Sequence, residues 1–340
     1  MTVSEPRRLR PVASSAPTLR DVAELAEVST MTASRALRDD RGVSAATRDR
    51  VLAAAARLGY LRNEAARNLR LGRSDGLIGL VVTNLANPFY SQLALGVEAA
   101  VAERGMRVML GNSGEDPARE RQLVQDFASR RLDGLVVVPA THDHAHLSPT
   151  RLRGMPVVLA ASPPVKVDLD AVLLDDFAGT WEAVRNLIAD GHRRIAFLGL
   201  PAASWTGSER YRGYCAALEE ADLPIDPQLS SHRQRDVETA RHATDALLDL
   251  DDPPTAIFGA NNRNTLGAYR AIRARAATVA LAGFDDFEFA DLLEMPLTVV
   301  QYDPGELGRR AAQLLCERIV DDPPAAPRRL LVPTRLVSYY

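Results

Sequence analysis

Three histidines at alternate positions are the residues of this 340-residue chain whose spacing most suggests metal chemistry. His142, His144 and His146 follow a short apolar run, and imidazoles placed after a strand can converge on zinc. The run lies in a polar stretch before Pro149 and has no clear third set of ligands. The sequence therefore favours a solvated loop and predicts no metal, with a metal-dependent hydrolase as the less favoured alternative.

Other catalytic motifs are missing from the sequence. No GxGxxG follows a predicted strand, and there is no GxxxxGK[ST], GxSxG or HExxH. Lys166 is the only lysine, which removes Schiff-base and P-loop lysine chemistry from most of the chain. Cys215 and Cys316 are too few for a disulfide framework or a thiolate zinc site. We therefore expect a protein that is not an enzyme and has no cofactor.

The charge of the chain is unevenly distributed. Residues 1–75 carry 14 Arg and 9 acidic residues, a net charge of +5, whereas the remainder carries −8. A small basic head on an acidic body indicates a polyanion partner for the head, with a basic disordered tail as the alternative. No apolar run reaches the roughly 18 residues of a membrane span, and none follows the N-terminal arginines as in a secretory leader. We expect no membrane contact and a cytoplasmic location.

The basic head contains the start and stop signals of three short helices. Thr18 with Asp21 has the form of a capping box, Ser29 can cap a second helix, and Ser44 can begin a third that stops at Gly59. Helices this short, the first two joined by a tight turn, predict a helix-turn-helix unit whose second helix enters the major groove. A generic three-helix bundle is the alternative.

A long segment of the head resembles the LacI–GalR repressor family. The segment is TLRDVAELAEVSTMTASRALRDDRGVSAATRDRVLAAAARLGYLRNEAARNLRLGRS, from Thr18 to Ser74. The resemblance implies a DNA-binding domain at 18–62 and a hinge helix with its linker at 63–75. Residues 1–17 have no periodicity and are expected to be a disordered lead-in.

The resemblance also assigns DNA contacts. Thr30 and Met31 fall where the family reads base edges, and Arg35 is the long donor on the same helix that can contact guanine, with a phosphate contact as its alternative. Polar side chains expected to position phosphates are Thr18, Thr32, Ser34, Thr47 and Asn63. In the family, the hinge helix folds on operator DNA and wedges a leucine into the minor groove; Leu69 and Ala66 fall on that face.

One residue of the head departs from the family pattern. The turn between the first two helices usually holds glycine, and Glu27 stands there instead. A left-handed conformation at Glu27 would cost about 1–2 kcal/mol. Its charge would also lie near DNA, so weaker binding or an altered turn is expected.

The body of the chain alternates short apolar runs with helical patterns. This alternation predicts two doubly wound parallel sheets side by side, which bind ligands at the carboxyl ends of their strands. The predicted strands are Leu77–Val82, Arg107–Leu110, Leu135–Val138, Val157–Leu159, Val172–Leu174, Ile195–Leu198, Ala256–Phe258, Val279–Ala282 and Thr298–Val300.

The body also resembles the LacI–GalR family, whose core is similar to a periplasmic sugar-binding protein. The matching segments include IGLVVTNLANPFYSQLALGVEAA, GHRRIAFLG and VALAGFDDFEFADLLEMPLTVV. The resemblance implies an effector-binding and dimerisation core at 76–340. One subdomain would hold about 76–174 plus 304–320, and the other about 175–300 plus 325–340, with the effector between them.

Motifs of the family mark candidate effector contacts: Asn87, Phe89, Asp175, Arg210, Asn261 and Asp285. Phe89 could stack on the ligand or anchor the core, and Arg210 and Asp285 could instead form an interdomain ion pair. Asn262 replaces the family's usual aspartate, and Asp176 replaces its usual asparagine. An arginine, an amide and a carboxylate around one cleft suit a hydroxyl-rich ligand, so a sugar is favoured, with purines left open.

These observations lead to one functional prediction. The chain is expected to be a transcriptional regulator, a repressor whose affinity for operator DNA responds to a small carbohydrate effector. No terminal leucine heptads follow the core, so a homodimer on a near-palindromic double-stranded operator is expected. A solute-binding module without DNA function is the alternative, and the head argues against it.

Overall fold

The computed structural model describes residues 17–38, 42–60, 76–200, 204–234, 236–320 and 326–340. The chain divides into two compact units between Asp75 and Gly76: a head, with described residues up to 60, and a core that begins at 76. Within these ranges no helix is long and apolar enough to cross a membrane.

The head folds as the predicted three helices, α1 (Leu19–Leu25), α2 (Thr30–Ala36) and α3 (Ala45–Leu58). The three expected caps are confirmed: the side chains of Thr18, Ser29 and Ser44 each accept a backbone N–H from the first turn of their helix. Small apolar side chains fill the space between the helices: Val22, Ala23, Ala26, Ala33, Ala36, Val51, Ala54 and Ala55. The small size of these residues lets three short helices pack closely.

Two left-handed residues shape the head. Gly59 ends α3 with φ 63°, which glycine adopts without strain. Glu27 has φ 52° in the turn between α1 and α2, so the left-handed conformation considered from the sequence is present. This turn therefore carries a steric cost that glycine would not.

The core contains two six-stranded sheets in the described residues. The strands are β1 (Leu77–Val82), β2 (Arg107–Asn112), β3 (Gly134–Val137), β4 (Val157–Ala160), β5 (Asp170–Leu174), β6 (Ile195–Leu198), β7 (Ser230–Ser231), β8 (Ala256–Gly259), β9 (Ala280–Phe284), β10 (Leu297–Gln301), β11 (Arg329–Val332) and β12 (Arg335–Tyr339). The first sheet has the order β11-β5-β4-β3-β1-β2 and the second β12-β10-β9-β8-β6-β7. Every pairing is parallel except that of β12 with β10.

Helices cover both faces of each sheet, as the doubly wound prediction requires. They are α4 (Pro88–Ala102), α5 (Pro117–Ser129), α6 (Asp176–Ala189), α7 (Trp205–Glu220), α8 (Val237–Leu248), α9 (Asn262–Arg275) and α10 (Pro304–Val320). On the first sheet, α4 and α10 pack on one face and α5 on the other. On the second sheet, α6 and α7 pack on one face and α8 and α9 on the other. Each sheet therefore separates two apolar cores.

The chain passes between the subdomains three times, after β5, after β10 and after β11. The expected assignment of 325–340 to the second subdomain is wrong in its first half. Strand β11 pairs with β5 of the first sheet, and only β12 joins the second. Asp170 explains this placement, because its buried carboxylate accepts from the backbone of Arg328 and from the guanidinium of Arg318.

We predict that Glu27→Gly stabilises the head by about 0.5–1 kcal/mol, since removing the Cβ relieves more strain than glycine adds in unfolded-chain entropy. Hydrogen exchange of α1 and α2 in the full chain, read by mass spectrometry, should slow. Glu27→Gln keeps the Cβ and should give a much smaller effect. Equal slowing in both variants would show that charge, not backbone strain, is responsible.

Candidate functional site

The exposed face of α2 carries the residues expected to read bases. Thr30, Met31 and Arg35 are all exposed, and Met31 is 65% exposed although it is apolar. The opposite face of the helix buries Ala33 and Ala36 in the head core. The buried face therefore holds the helix in place, while Met31 and Arg35 expose an apolar side chain and a long hydrogen-bond donor to solvent.

The hydroxyls expected at phosphates cluster at the beginnings of helices. Thr18, Thr32 and Thr47 lie at the cap or in the first turn of α1, α2 and α3. Thr32 and Thr47 are hydrogen-bonded to Ser29 and Ser44 at 2.8 and 2.9 Å. Ser34 is half-buried on α2. Asn63, Ala66 and Leu69 lie outside the described residues.

A cavity of about 220 Å³ lies in the core between the carboxyl ends of the two sheets. The first sheet contributes residues that follow β1, β3 and β4, and the second contributes residues that follow β6, β8 and β9. Five of the six expected effector contacts line it: Asn87, Phe89, Arg210, Asn261 and Asp285. Parallel strands bring these distant residues together because their carboxyl ends meet at one edge of each sheet.

Arg210 is the central charge of the cavity and is only 2% exposed. Its Nε donates to Asp176 Oδ1 at 2.8 Å, and its Nη1 donates to the carbonyl oxygen of Ala260 at 2.6 Å. The same Nη1 lies 3.3 Å from Asp285 Oδ1. The guanidinium carbon also lies 3.5 Å from the centre of the Phe284 ring. Burial alone would lower the pKa of Arg210, but the carboxylates of Asp285 and Asp176 outweigh it and raise the pKa, so the guanidinium stays charged.

The pairing of Arg210 with Asp285 was an alternative left open by the sequence, and the structure contains it. Both residues belong to the second subdomain, so the pair is not interdomain. Asp285 also accepts from the Tyr302 hydroxyl at 2.7 Å. Burial beside Asp285 raises the pKa of Tyr302 well above its ordinary value, which keeps the phenol a donor.

Asp175 was expected to contact the effector, but the structure places it away from the cavity and brings its neighbour Asp176 to Arg210. Asp175 caps α6 by accepting from Ala178 N, and it is not among the residues that line the cavity. Asp176 reaches Arg210 instead, from behind the cavity wall, and is 2% exposed. The signal was present in the sequence, because Asp176 stands where the resembling family has asparagine.

An amide contact joins the two subdomains beside the cavity. Asn262 Nδ2, at the start of α9, donates to Asn87 Oδ1, at the start of α4, at 3.2 Å. Asn87 Oδ1 also accepts from Phe89 N at 3.1 Å. The aspartate usual at position 262 in the family has no N–H to donate, so the asparagine gives this chain a neutral interdomain bond.

Aromatic rings supply the apolar part of the cavity. Phe89 packs edge-on against Tyr90 and Tyr302, with ring centroids 4.9 and 6.1 Å apart. Phe89 is half-buried, contacts the first core and also lines the cavity, so it anchors the core while stacking on a ligand stays a prediction. Trp205 lines the cavity from the start of α7.

Three of the eight left-handed non-glycine residues described in the core line the cavity. Glu115, Ala161 and Asp285 have φ values of 62°, 57° and 66°, and all three line it. Residues without glycine's freedom hold such conformations only when the surrounding fold over-determines them, as it does at functional sites.

The histidine run does not form a ligand cluster in the described residues. His144 is buried, with Nε2 bonded to the carbonyl of Thr141 and Nδ1 accepting from Val165 N. Burial lowers the pKa of His144. His146 pairs with the buried Glu120 at 2.9 Å. No group of three or more His, Cys, Asp or Glu side chains in these ranges is placed to hold a metal ion.

A helix-turn-helix head and a two-subdomain core with a cavity lined by charged, amide and aromatic side chains are the parts of a ligand-responsive transcriptional regulator. Residues 18–63 match the model described as bacterial regulatory proteins, lacI family. Residues 75–339 match the model described as periplasmic binding proteins and sugar binding domain of LacI family. The chain belongs to the LacI family and is a DNA-binding transcriptional regulator, not an enzyme.

Relatives along almost the whole length are repressors. The chain is 32% identical to the ribose operon repressor of Escherichia coli, over 93% of this chain and 97% of the relative. It is 30% identical to the HTH-type transcriptional repressor PurR of Mannheimia succiniciproducens, over 89% of this chain and 92% of the relative.

Solved structures show the same architecture. The lac repressor dimer bound to operator and the anti-inducer ONPF matches with a TM-score of 0.81 and 26% identity, over 95% of this chain and 98% of that one. The complex of the transcriptional regulator CelR with cellobiose matches with a TM-score of 0.71 and 32% identity, over 94% of this chain and 98% of that one.

Asp176 gives the core a distinctive pH dependence. Burial raises its pKa from 3.8 to about 6, although Arg210 partly opposes this. The folded core therefore binds more protons than the unfolded chain between these values, and stability from this carboxyl is lost as pH rises through about 6. Relative to Asp176→Asn, the wild-type free energy of unfolding should fall from pH 4 to pH 6 and then level off.

Urea unfolding followed by tryptophan fluorescence measures this effect, because both tryptophans, Trp181 and Trp205, lie in the core. Asp175→Asn removes the same charge from a capping position that asparagine also suits, and should keep the wild-type slope. Parallel pH curves for wild type and Asp176→Asn would contradict the assignment.

Proposed function

We propose that this regulator is a repressor whose operator affinity is set by a small hydroxyl-rich effector in the core cavity. The observation that carries the proposal is the combination, in one chain, of an exposed recognition helix with a cavity between two subdomains that charged, amide and aromatic side chains line. A solute-binding module alone would have no use for the exposed Met31 and Arg35 on a capped helix.

In this proposal the head reads DNA through α2. Arg35 donates to a guanine edge, Thr30 contacts a base edge, and Met31 makes apolar contact with a thymine methyl. The hydroxyls of Thr18, Thr32, Ser34 and Thr47, with Asn63, position the phosphates. Ala66 and Leu69 of the hinge segment enter the minor groove at the centre of the operator, as the family resemblance implies.

The effector is proposed to be a carbohydrate. Arg210, Asn261 and Asp285 offer donors and acceptors on one side of the cavity, and aromatic rings offer apolar faces on the other. This combination suits a sugar ring, which has polar edges and an apolar face. The relatives support the class, since one is a ribose operon repressor and another structure is a cellobiose complex.

The effector acts by a shift between subdomain arrangements. It contacts both subdomains, so it favours the arrangement in which both sets of contacts form, and this changes how well the hinge segments engage DNA. A homodimer presents two heads to a near-palindromic operator. The lac repressor structure is a dimer on operator, and Leu95, Phe289 and Leu292 provide exposed apolar surface for a second copy. The proposed location is the cytoplasm, where the operator lies.

Selection of bound sites from random duplex DNA tests the proposal, at about 0.15 M salt to suppress phosphate-only binding. The full chain should enrich a palindrome. Arg35→Ala should lose preference at one position in each half-site, because a bidentate base contact carries about 1–3 kcal/mol of discrimination. Arg38→Ala removes the same charge just past the end of α2 and should weaken DNA binding without changing the base sequence that is selected.

Two outcomes would count against this account of the head. Enrichment of the same palindrome by wild type and Arg35→Ala would remove Arg35 from base reading. No enrichment by a folded wild-type chain, with and without candidate sugars, would contradict DNA control.

A further inference from the structure

Both bidentate faces of Arg210 are already occupied within the protein. A guanidinium binds a phosphate or carboxylate most strongly through two parallel N–H groups, from Nε with one Nη or from the two Nη atoms together. Nε donates to Asp176, and Nη1 donates to Ala260 and faces Asp285. Each possible pair therefore includes a nitrogen that is engaged, and among the described residues only Nη2 is left for a ligand.

The formal charge around the cavity also disfavours an anionic ligand. Arg210 and Arg263 line it together with the carboxylates of Glu115 and Asp285. Asp176 adds a third carboxylate in contact with Arg210 from behind the wall. The formal charges of these two arginines and three carboxylates sum to −1. This net charge would repel an anionic ligand, which would also lose its hydration on entering the cavity.

The volume limits the size of the ligand. At about 220 Å³ the cavity is smaller than the roughly 300–1,000 Å³ of pockets for drug-sized ligands. One sugar ring is the scale that fits. The hydrogen bond from Asn262 to Asn87 lies beside the cavity, and the rings of Phe89 and Tyr302 form part of its wall.

We propose that the effector is an uncharged polyol of monosaccharide size, and that Asp176 excludes phosphorylated and carboxylated ligands by neutralising Arg210. The inference rests on the proposed function, because it specifies the ligand of the same cavity. Asparagine, the family's usual residue at 176, would keep one acceptor for Nε and leave the positive charge of Arg210 partly uncompensated. The choice of aspartate at this one position thus sets the charge of the ligand.

Binding of matched pairs of sugars tests the proposal in the full chain at pH 8, where the Asp176 carboxyl, with a pKa of about 6, is ionised. The pairs are D-ribose with D-ribose 5-phosphate and D-glucose with D-glucose 6-phosphate, measured by calorimetry and thermal shift. Wild type should bind the neutral member of a pair at least about tenfold more tightly than its phosphate ester. Asp176→Asn should reduce this ratio of affinities, neutral sugar over phosphate ester, about tenfold.

Asp175→Asn is the matched control. It removes the same charge one residue away, caps α6 as well as aspartate does, and has no contact with Arg210. Its ratio should stay at the wild-type value. A wild-type preference for the phosphate ester would overturn the proposal, and equal narrowing in both variants would remove the specific role of Asp176.

Inorganic phosphate as a probe separates this proposal from the carbohydrate assignment. Wild type should show no phosphate binding at the cavity, whereas Asp176→Asn should gain phosphate binding that Asp176→Asn with Arg210→Ala loses. If none of the four sugars binds but phosphate behaves in this way, the carbohydrate assignment fails and the charge selection stands. Phosphate binding by wild type that Arg210→Ala abolishes would overturn the charge selection.

Discussion

The core is organised around a guanidinium that is removed from water and must be compensated there. Arg210 is 2% exposed, and an unpaired buried charge would destabilise the fold by several kcal/mol. Its partners come from three separate elements: Asp176 begins α6, Ala260 follows β8, and Asp285 follows β9. The ends of these elements are held together by one side chain, which also fixes the floor of the cavity. The contacts that compensate the buried charge are therefore the same contacts that position the cavity residues for ligand binding.

The contact between the subdomains is easier to break than the contacts around Arg210 within the second subdomain. The hydrogen bonds described between the subdomains at the cavity are neutral: Asn262 Nδ2 donates to Asn87 Oδ1 at 3.2 Å, and Thr206 Oγ1 donates to the carbonyl oxygen of Ala161 at 3.4 Å. Each such bond contributes on the order of 1 kcal/mol, whereas breaking a buried ion pair within the second subdomain by removing one partner would cost about 3–5 kcal/mol. A ligand that bridges both sides can therefore shift the arrangement, because little stability opposes it. Strength within a subdomain and weakness between subdomains are what an effector-controlled regulator needs.

Much of the fold could be predicted because its signals are local. The caps at Thr18, Ser29 and Ser44 and the strained Glu27 are determined by residues within a few positions of each other. Strands such as β1 and β6 are continuous apolar runs, and their predicted bounds match the structure. Strand β11 could not be assigned to its sheet in this way, because its place depends on the distant ion pairs of Asp170 with Arg318 and Arg328.

The candidate site shows the same division between local and distant information. Asn87, Arg210, Asn261 and Asp285 were expected at the cavity from family motifs, and they line it. Asp175 and Asp176 are adjacent in sequence, and only the direction in which α6 begins decides that the second reaches Arg210. The hinge residues Ala66 and Leu69 stay predictions from the sequence. The sequence pattern could not predict how neighbouring side chains are oriented at the start of a helix such as α6.

Operator affinity with and without effector tests the central claim, that the Arg210 cavity controls DNA binding. The measurement is fluorescence anisotropy of a selected operator fragment with the full chain, with and without a saturating sugar that stabilises the core. The account predicts a change in affinity of about 5- to 150-fold for wild type. The variant Arg210→Ala with Asp176→Asn, which leaves one fewer buried carboxylate unpaired, should bind operator as the effector-free wild type does and lose the change. An undiminished effector response in that variant, or none in wild type, would contradict the account.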